Sequence, residues 1–184
     1  MSPMVSRPFS MEYALLGLLR HGPQHGYQLH LQVSRSTGLG SIWRIKQSQF
    51  YALLTKLEQA NLISSAVQAQ DSRPPRRVFH LTPDGEEAFL EWVQAPVTRP
   101  FHIRQEFIAK LFFACQEADS IVSTLILRQL AVSRKWLREN QPGPNNHPDK
   151  SVFDTFIHRF RRNQVQMIID WLVSIASDLD IPCS

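Results

Sequence analysis

Between residues 47 and 62 the chain reads QSQFYALLTKLEQANL, and one side of that segment carries the residue types that meet nucleic acid. Ser48, Tyr51, Ala52 and Thr55 recur at helical spacing, flanked by Gln49, Lys56 and Gln59, with no acid before Glu58. Hydroxyls and amides bond base edges, a small apolar group meets a thymine methyl, and a lysine neutralises a phosphate. A solvated helix face normally mixes both signs of charge, so an acid-free polar face points to a DNA groove. Ser48, Gln49, Tyr51 and Ala52 lie toward the start of the helix, where base edges are reached. Lys46 and Lys56 are expected on phosphates, and Tyr27 upstream is expected to offer its hydroxyl to one while its ring packs in the core.

Further along, Arg73, Arg76 and Arg77 surround Pro74 and Pro75 in QAQDSRPPRR. Short strand-like runs at 63–67 and 78–81 flank this stretch, which predicts a β-hairpin with a stiff basic tip. Cations on a stiffened tip lose little freedom when they meet phosphates or a minor groove. At least one of the three arginines is expected to be structural, paired with Asp71 or flanking the strand.

These residues need a scaffold, and the pattern supplies one. Phe50, Leu53, Leu54 and Leu57 fall at i, i+3, i+4 and i+7, so the other side of the 47–62 helix faces a core. A buried helix begins at Ser10 and ends at His21-Gly22-Pro23, a second spans 24–36, and 41–45 bridges to the third. The third runs from about 46 to 60, with Asn61 suited to a left-handed end. After the hairpin, Thr82-Pro83 opens a fourth helix that continues to about residue 94. Three helices, two strands and a helix describe a winged helix-turn-helix over 10–95, preceded by a loose leader at 1–9. The fold class is mainly α with a small β-hairpin.

Pro96 and Pro100 bracket a linker, beyond which 96–184 reads as a helical dimerisation domain. Helical patterns cover 103–115, 120–140 and 151–176, with QPGPNNHP at 141–148 as a break. On the last helix Phe153, Ile157, Phe160, Met167, Trp171 and Ile175 recur close to a seven-residue pattern, and Phe156, Ile168 and Leu172 widen the stripe. Three heptads of seam imply a partner helix, and the simplest partner is a second copy of this chain. Phe101, Phe107 and Trp136 are candidates to line a pocket for a small aromatic ligand, although such residues more often serve a core.

The totals exclude more than they assign. With 43% hydrophobic and 20% charged residues the composition is that of a globular chain. Residues 1–95 hold nine Lys and Arg against seven Asp and Glu, and 96–184 hold eleven against nine, so each half carries +2. Any electrostatic footprint is therefore local. No apolar run approaches the roughly 18 residues of a membrane span, and a cytoplasmic location is expected. Cys115 is expected in the core and Cys183 in a tail, without a disulfide. His21 and His25 are four apart, but Gly22 and Pro23 intervene, so no metal site is expected. No cofactor loop and no acid, base or nucleophile constellation stands out, and no enzymatic activity is expected.

The segments ALLGLLRHGPQHGYQL at 14–29, IWRIKQSQFYALLTKLEQANLI at 42–63 and RPPRRVFHLTPDGEEAFLEW at 73–92 together resemble the PadR family of bacterial transcriptional regulators. The C-terminal part is similar in layout to its shorter-tailed branch. The resemblance implies a winged helix-turn-helix with a helical dimerisation domain, repression as the usual activity, and in some members a response to phenolic acids or hydrophobic drugs. Where the family commonly has a Ser cap and a Pro before the third helix, this chain has Lys46 and Gln47. The expectation is a homodimeric, sequence-specific regulator on a palindromic operator in double-stranded DNA, responsive to a small aromatic or hydrophobic effector. The competing expectation is a protein-interaction module that retains the winged-helix fold.

Overall fold

The computed structural model describes residues 10–35, 38–70, 73–139 and 151–182. α1 (Ser10–Leu19) lies at its centre, with Ala14, Leu15, Leu16, Leu18 and Leu19 all buried. A helix that is apolar all round must be covered all round, and α1 meets helices from both halves of the chain. Gly17 allows a close approach, because a Cβ there would stand 2.6 Å from the rings of Phe89 and Phe113.

The sequence pattern predicts one helix over 24–36, but β1 (Gln24–His25) pairs antiparallel with Phe79 and Val78, and α2 (Gly26–Ser34) starts only after it. The neighbouring strand offers those two residues ladder partners, which a helix start does not. A 3-10 turn at Gly38–Ser41 then leads toward α3 (Gln47–Gln59). Phe50, Leu54 and Leu57 of α3 are buried. Its end closes through Asn61 at φ 58°, with bonds from Asn61 N–H to the Glu58 carbonyl and from Leu62 N–H to the Leu57 carbonyl, each 3.0 Å.

β2 (Ile63–Gln70) and β3 (Arg73–Leu81) complete a three-stranded antiparallel sheet in the order β1-β3-β2. The wing is longer than the sequence pattern predicts. Arg76 and Arg77 pair with Gln68 and Val67, and Pro74 and Pro75 fall within β3 instead of a loop. The prolines are tolerated because the register shifts between Gln68 and Gln70, and β1 reaches only Phe79 and Val78 on the other side. Thr82 then caps α4 (Pro83–Gln94), its Oγ1 accepting from Gly85 N–H at 3.0 Å.

A 3-10 turn at Pro100–His102 and a π-helical turn at Ile103–Phe107 precede α5 (Ile108–Ala114), α6 (Asp119–Glu139) and α7 (Val152–Asp178). Ser151 and Asp154 cap α7 reciprocally, each backbone N–H 3.2 Å from the other's side-chain oxygen. One hydrophobic core extends from α1 to α7. Phe113 of α5 meets Phe89 and Trp92 of α4 edge-on at 5.5 and 6.3 Å, which joins the two halves. The expected linker is drawn into this core, with Val97 buried. Cys115 is exposed, contrary to expectation, because it follows α5 where the chain leaves the core. The leader at 1–9, Asp71, the break at 141–148 and Cys183 lie outside the described residues.

Candidate nucleic-acid interface

Ser48, Gln49, Tyr51 and Ala52 form the exposed outer face of α3, opposite its buried stripe. Lys46 occupies the cap position in extended conformation, at φ −74° and ψ 147°. A lysine side chain has no acceptor for the helix N–H groups, and the turn is instead closed from the other side, Lys46 N–H donating to Gln49 Oε1 at 3.3 Å. Gln49 therefore ties down the helix start with its carbonyl and keeps its amide NH₂ for an outside acceptor. Thr55 donates its hydroxyl to the Tyr51 carbonyl at 3.1 Å.

A hollow of about 610 Å³ opens between the start of α2, α3 and the wing, lined by Tyr27, Tyr51, Arg76 and Arg77 together with His25 and Phe79. Four residues from three separate stretches of sequence thus converge. Tyr27 is 67% exposed, so its ring does not pack in the core; the inward positions of that turn are taken by Gly26 and Leu29. Tyr51 rests edge-on against Phe50 at 5.4 Å. Arg76 is exposed, and the Arg73 side chain lies outside the described residues.

Arg77 is a structural arginine, as expected of at least one of the three. Its Nη2 lies 2.7 and 2.8 Å from the two carboxylate oxygens of Glu58, its guanidinium reaches Ser65 Oγ, and it sits 5.2 Å over the Phe79 ring. Ser65 donates to Glu58 Oε1 at 2.6 Å, and this bond, with the guanidinium, holds the Glu58 carboxyl below its ordinary value. Among the described residues its carboxylate partner is Glu58. Because Glu58 is the one acid of α3, the pairing neutralises the only negative charge on that helix and ties it to the wing.

Lys56, expected on a phosphate, turns toward α1, where its Nζ is 2.7 Å from Glu12 Oε1. Glu12 is only 3% exposed, and a carboxylate taken out of water requires a counter-charge. Lys46 is exposed, and so is Arg44, a cation beside the start of α3 that the sequence pattern did not single out. Its spacing of two from Lys46 was the available signal.

On α7, Phe153, Phe156, Phe160 and Met167 are exposed, Ile157 and Ile175 are half-buried, and Trp171 is 36% exposed with its ring 5.9 Å from Phe107. Ile168 and Leu172 do not widen the outer stripe: with Val165, Ile169 and Ala176 they are buried in the chain's own core. The three aromatics proposed for a ligand pocket are not brought together either. Phe107 is fully buried and Trp136 is buried, because their helices need them to fill the core. Phe101 alone reaches a hollow, of about 560 Å³, with Tyr13, Trp92 and Lys110 among its walls. Among the described residues no helix is long and apolar enough to cross a membrane.

Residues 15–91 match the model of the Transcriptional regulator PadR-like family. The negative transcriptional regulator PadR of Bacillus subtilis is 28% identical over 181 residues, covering 92% of this chain and 97% of that protein. A crystal structure of Bacillus subtilis PadR in complex with operator DNA aligns at 24% identity with a TM-score of 0.47, over 93% of this chain and 99% of that one. The same protein in complex with p-coumaric acid aligns at 24% identity with a TM-score of 0.42, over 94% and 99%.

Proposed function

We propose that this chain, whose residues 15–91 match the PadR-like family of transcriptional regulators, is a homodimeric repressor reading a palindromic operator. The observation that carries the reading is the convergence of Tyr27, Tyr51 and Arg76 beside an α3 face whose single acid is neutralised. Residues 10–95 form the DNA-binding unit, with Ser48, Gln49, Tyr51 and Ala52 at base edges and Tyr27, Lys46, Arg73 and Arg76 on phosphates. Residues 96–184 form the dimerisation unit. Phe153, Phe156, Phe160 and Met167 meet their counterparts in a second copy, which places two α3 helices in successive major grooves roughly 34 Å apart. An effector of small aromatic or hydrophobic type is assigned to the hollow walled by Tyr13, Trp92 and Phe101, where three rings surround a space of about 560 Å³. The protein acts in the cytoplasm and performs no catalysis.

DNA affinity measured at several salt concentrations tests the reading. Each phosphate contact releases a counterion, so Arg76→Ala should weaken binding to all sequences alike and reduce the log–log salt slope by about 1. An unchanged slope would remove Arg76 from the interface.

A further inference from the structure

Besides the packing of Phe113 on Phe89 and Trp92, the join between the two units carries polar contacts, made by side chains of α5 and α6 to the backbone that leaves α4. Gln129 of α6 is fully buried and grips a single residue from both sides. Its Oε1 accepts from Val97 N–H at 2.7 Å, and its Nε2 donates to the Val97 carbonyl at 3.3 Å. Val97 lies in a segment without regular structure, so its buried backbone groups have no ladder to join and the amide of Gln129 takes the place of a neighbouring strand. Beside it, Lys110 Nζ donates to the Ala95 carbonyl at 2.8 Å and Arg128 Nη1 to the Gln94 carbonyl at 3.4 Å. Cations at these carbonyls complete the C-terminal end of α4. α7 packs on α6, and α4 packs on α1, which holds α3.

We propose that Gln129 is a specificity-determining positioning residue, whose clamp on Val97 sets the spacing between operator half-sites. The proposal rests on the dimeric DNA-binding reading above. A palindrome lengthened by one base pair moves its second half-site by about 3.4 Å and turns it by about 34°. A dimer can follow that displacement only if the recognition units move relative to α7, and the Gln129 clamp ties down the segment that connects them. Gln129→Met keeps the length of the side chain and removes both hydrogen bonds.

The test takes the palindromic duplex that the wild-type chain selects, versions with one or two base pairs inserted at its centre, and a duplex with one half-site. The wild type should lose about tenfold or more on the lengthened duplexes, and Gln129→Met about threefold or less, with binding to the single half-site changed less than about twofold. Equal loss in both proteins would overturn the role of Gln129 and leave the DNA-binding reading standing. A wild type that selects no palindrome would overturn both. Hydrogen exchange of the wild-type Val97 amide gives a result independent of how the variant folds. Exchange as slow as that of core amides supports the clamp, and exchange as fast as that of exposed loops overturns it.

Discussion

The outer face of α3 and the leading half of α7 both stand uncovered, with opposite chemistry. The α3 face presents a hydroxyl, an amide, a phenol and a methyl, and its one acid is taken up by Arg77. Such groups are at ease in water and lose little by waiting for a polar partner. The α7 face presents Val152, Phe153, Phe156 and Phe160, each more than half exposed. Leaving apolar surface in water costs about 25 cal/mol per Å², so this face favours another apolar surface in every condition. One surface is therefore suited to a reversible, hydrated partner and the other to a standing one. That division matches a dimer that stays assembled while it binds and leaves DNA.

The largest effect is expected at α7. Phe156→Glu with Phe160→Glu should raise the dimer dissociation constant by about a hundredfold or more, because apolar anchors at the centre of an interface carry most of its energy. Analytical ultracentrifugation would show the shift, and an undisturbed dimer would mean that the aromatic face serves another purpose.

The polar region is sharpened by Lys56, which shares α3 with the residues proposed for DNA contact but pairs with Glu12 of α1. Lys56→Met strands the Glu12 carboxylate and should cost about 1–3 kcal/mol in chemical denaturation, with the salt slope of DNA binding unchanged. A reduced slope with unchanged stability would return Lys56 to the phosphates.

The smallest effect concerns the tie between α3 and the wing. The Glu58 carboxyl has a lowered value in the folded chain, so its contribution to stability is fully present above the ordinary value of 4.5 and fades as pH falls through the folded one. Glu58→Gln should flatten the pH dependence of unfolding in that acidic window and leave it unchanged near neutrality. Identical profiles for the two proteins would show that the pair adds nothing measurable.

What the sequence reveals about these surfaces follows the range of the interactions. The buried stripe of α3, the left-handed Asn61 and the Thr82 cap depend on residues within one or two turns, and the pattern predicts each of them. Lys56 and Arg77 depend on partners 44 and 19 residues away, so spacing alone could not assign them. The exposure of the Tyr27 ring is not legible in the pattern because β1, a strand of two residues, delays the start of α2. On α7 the apolar stripe is wide enough to serve two surfaces at once, and only packing separates inward Ile168 and Leu172 from outward Met167. Phe101, Phe107 and Trp136 share a residue class but not a location, since aromatic content carries no information about convergence.

The central claim is that a dimer reads a two-fold-related DNA sequence through α3. The most direct measurement incubates the purified chain with genomic DNA fragments, recovers what is bound and sequences it. The account predicts enrichment of a palindrome with half-sites about one helical turn apart, and loss of that enrichment in Gln49→Ala and Tyr51→Ala. A chain that remains dimeric yet enriches no sequence would contradict it and turn the winged fold toward a protein partner.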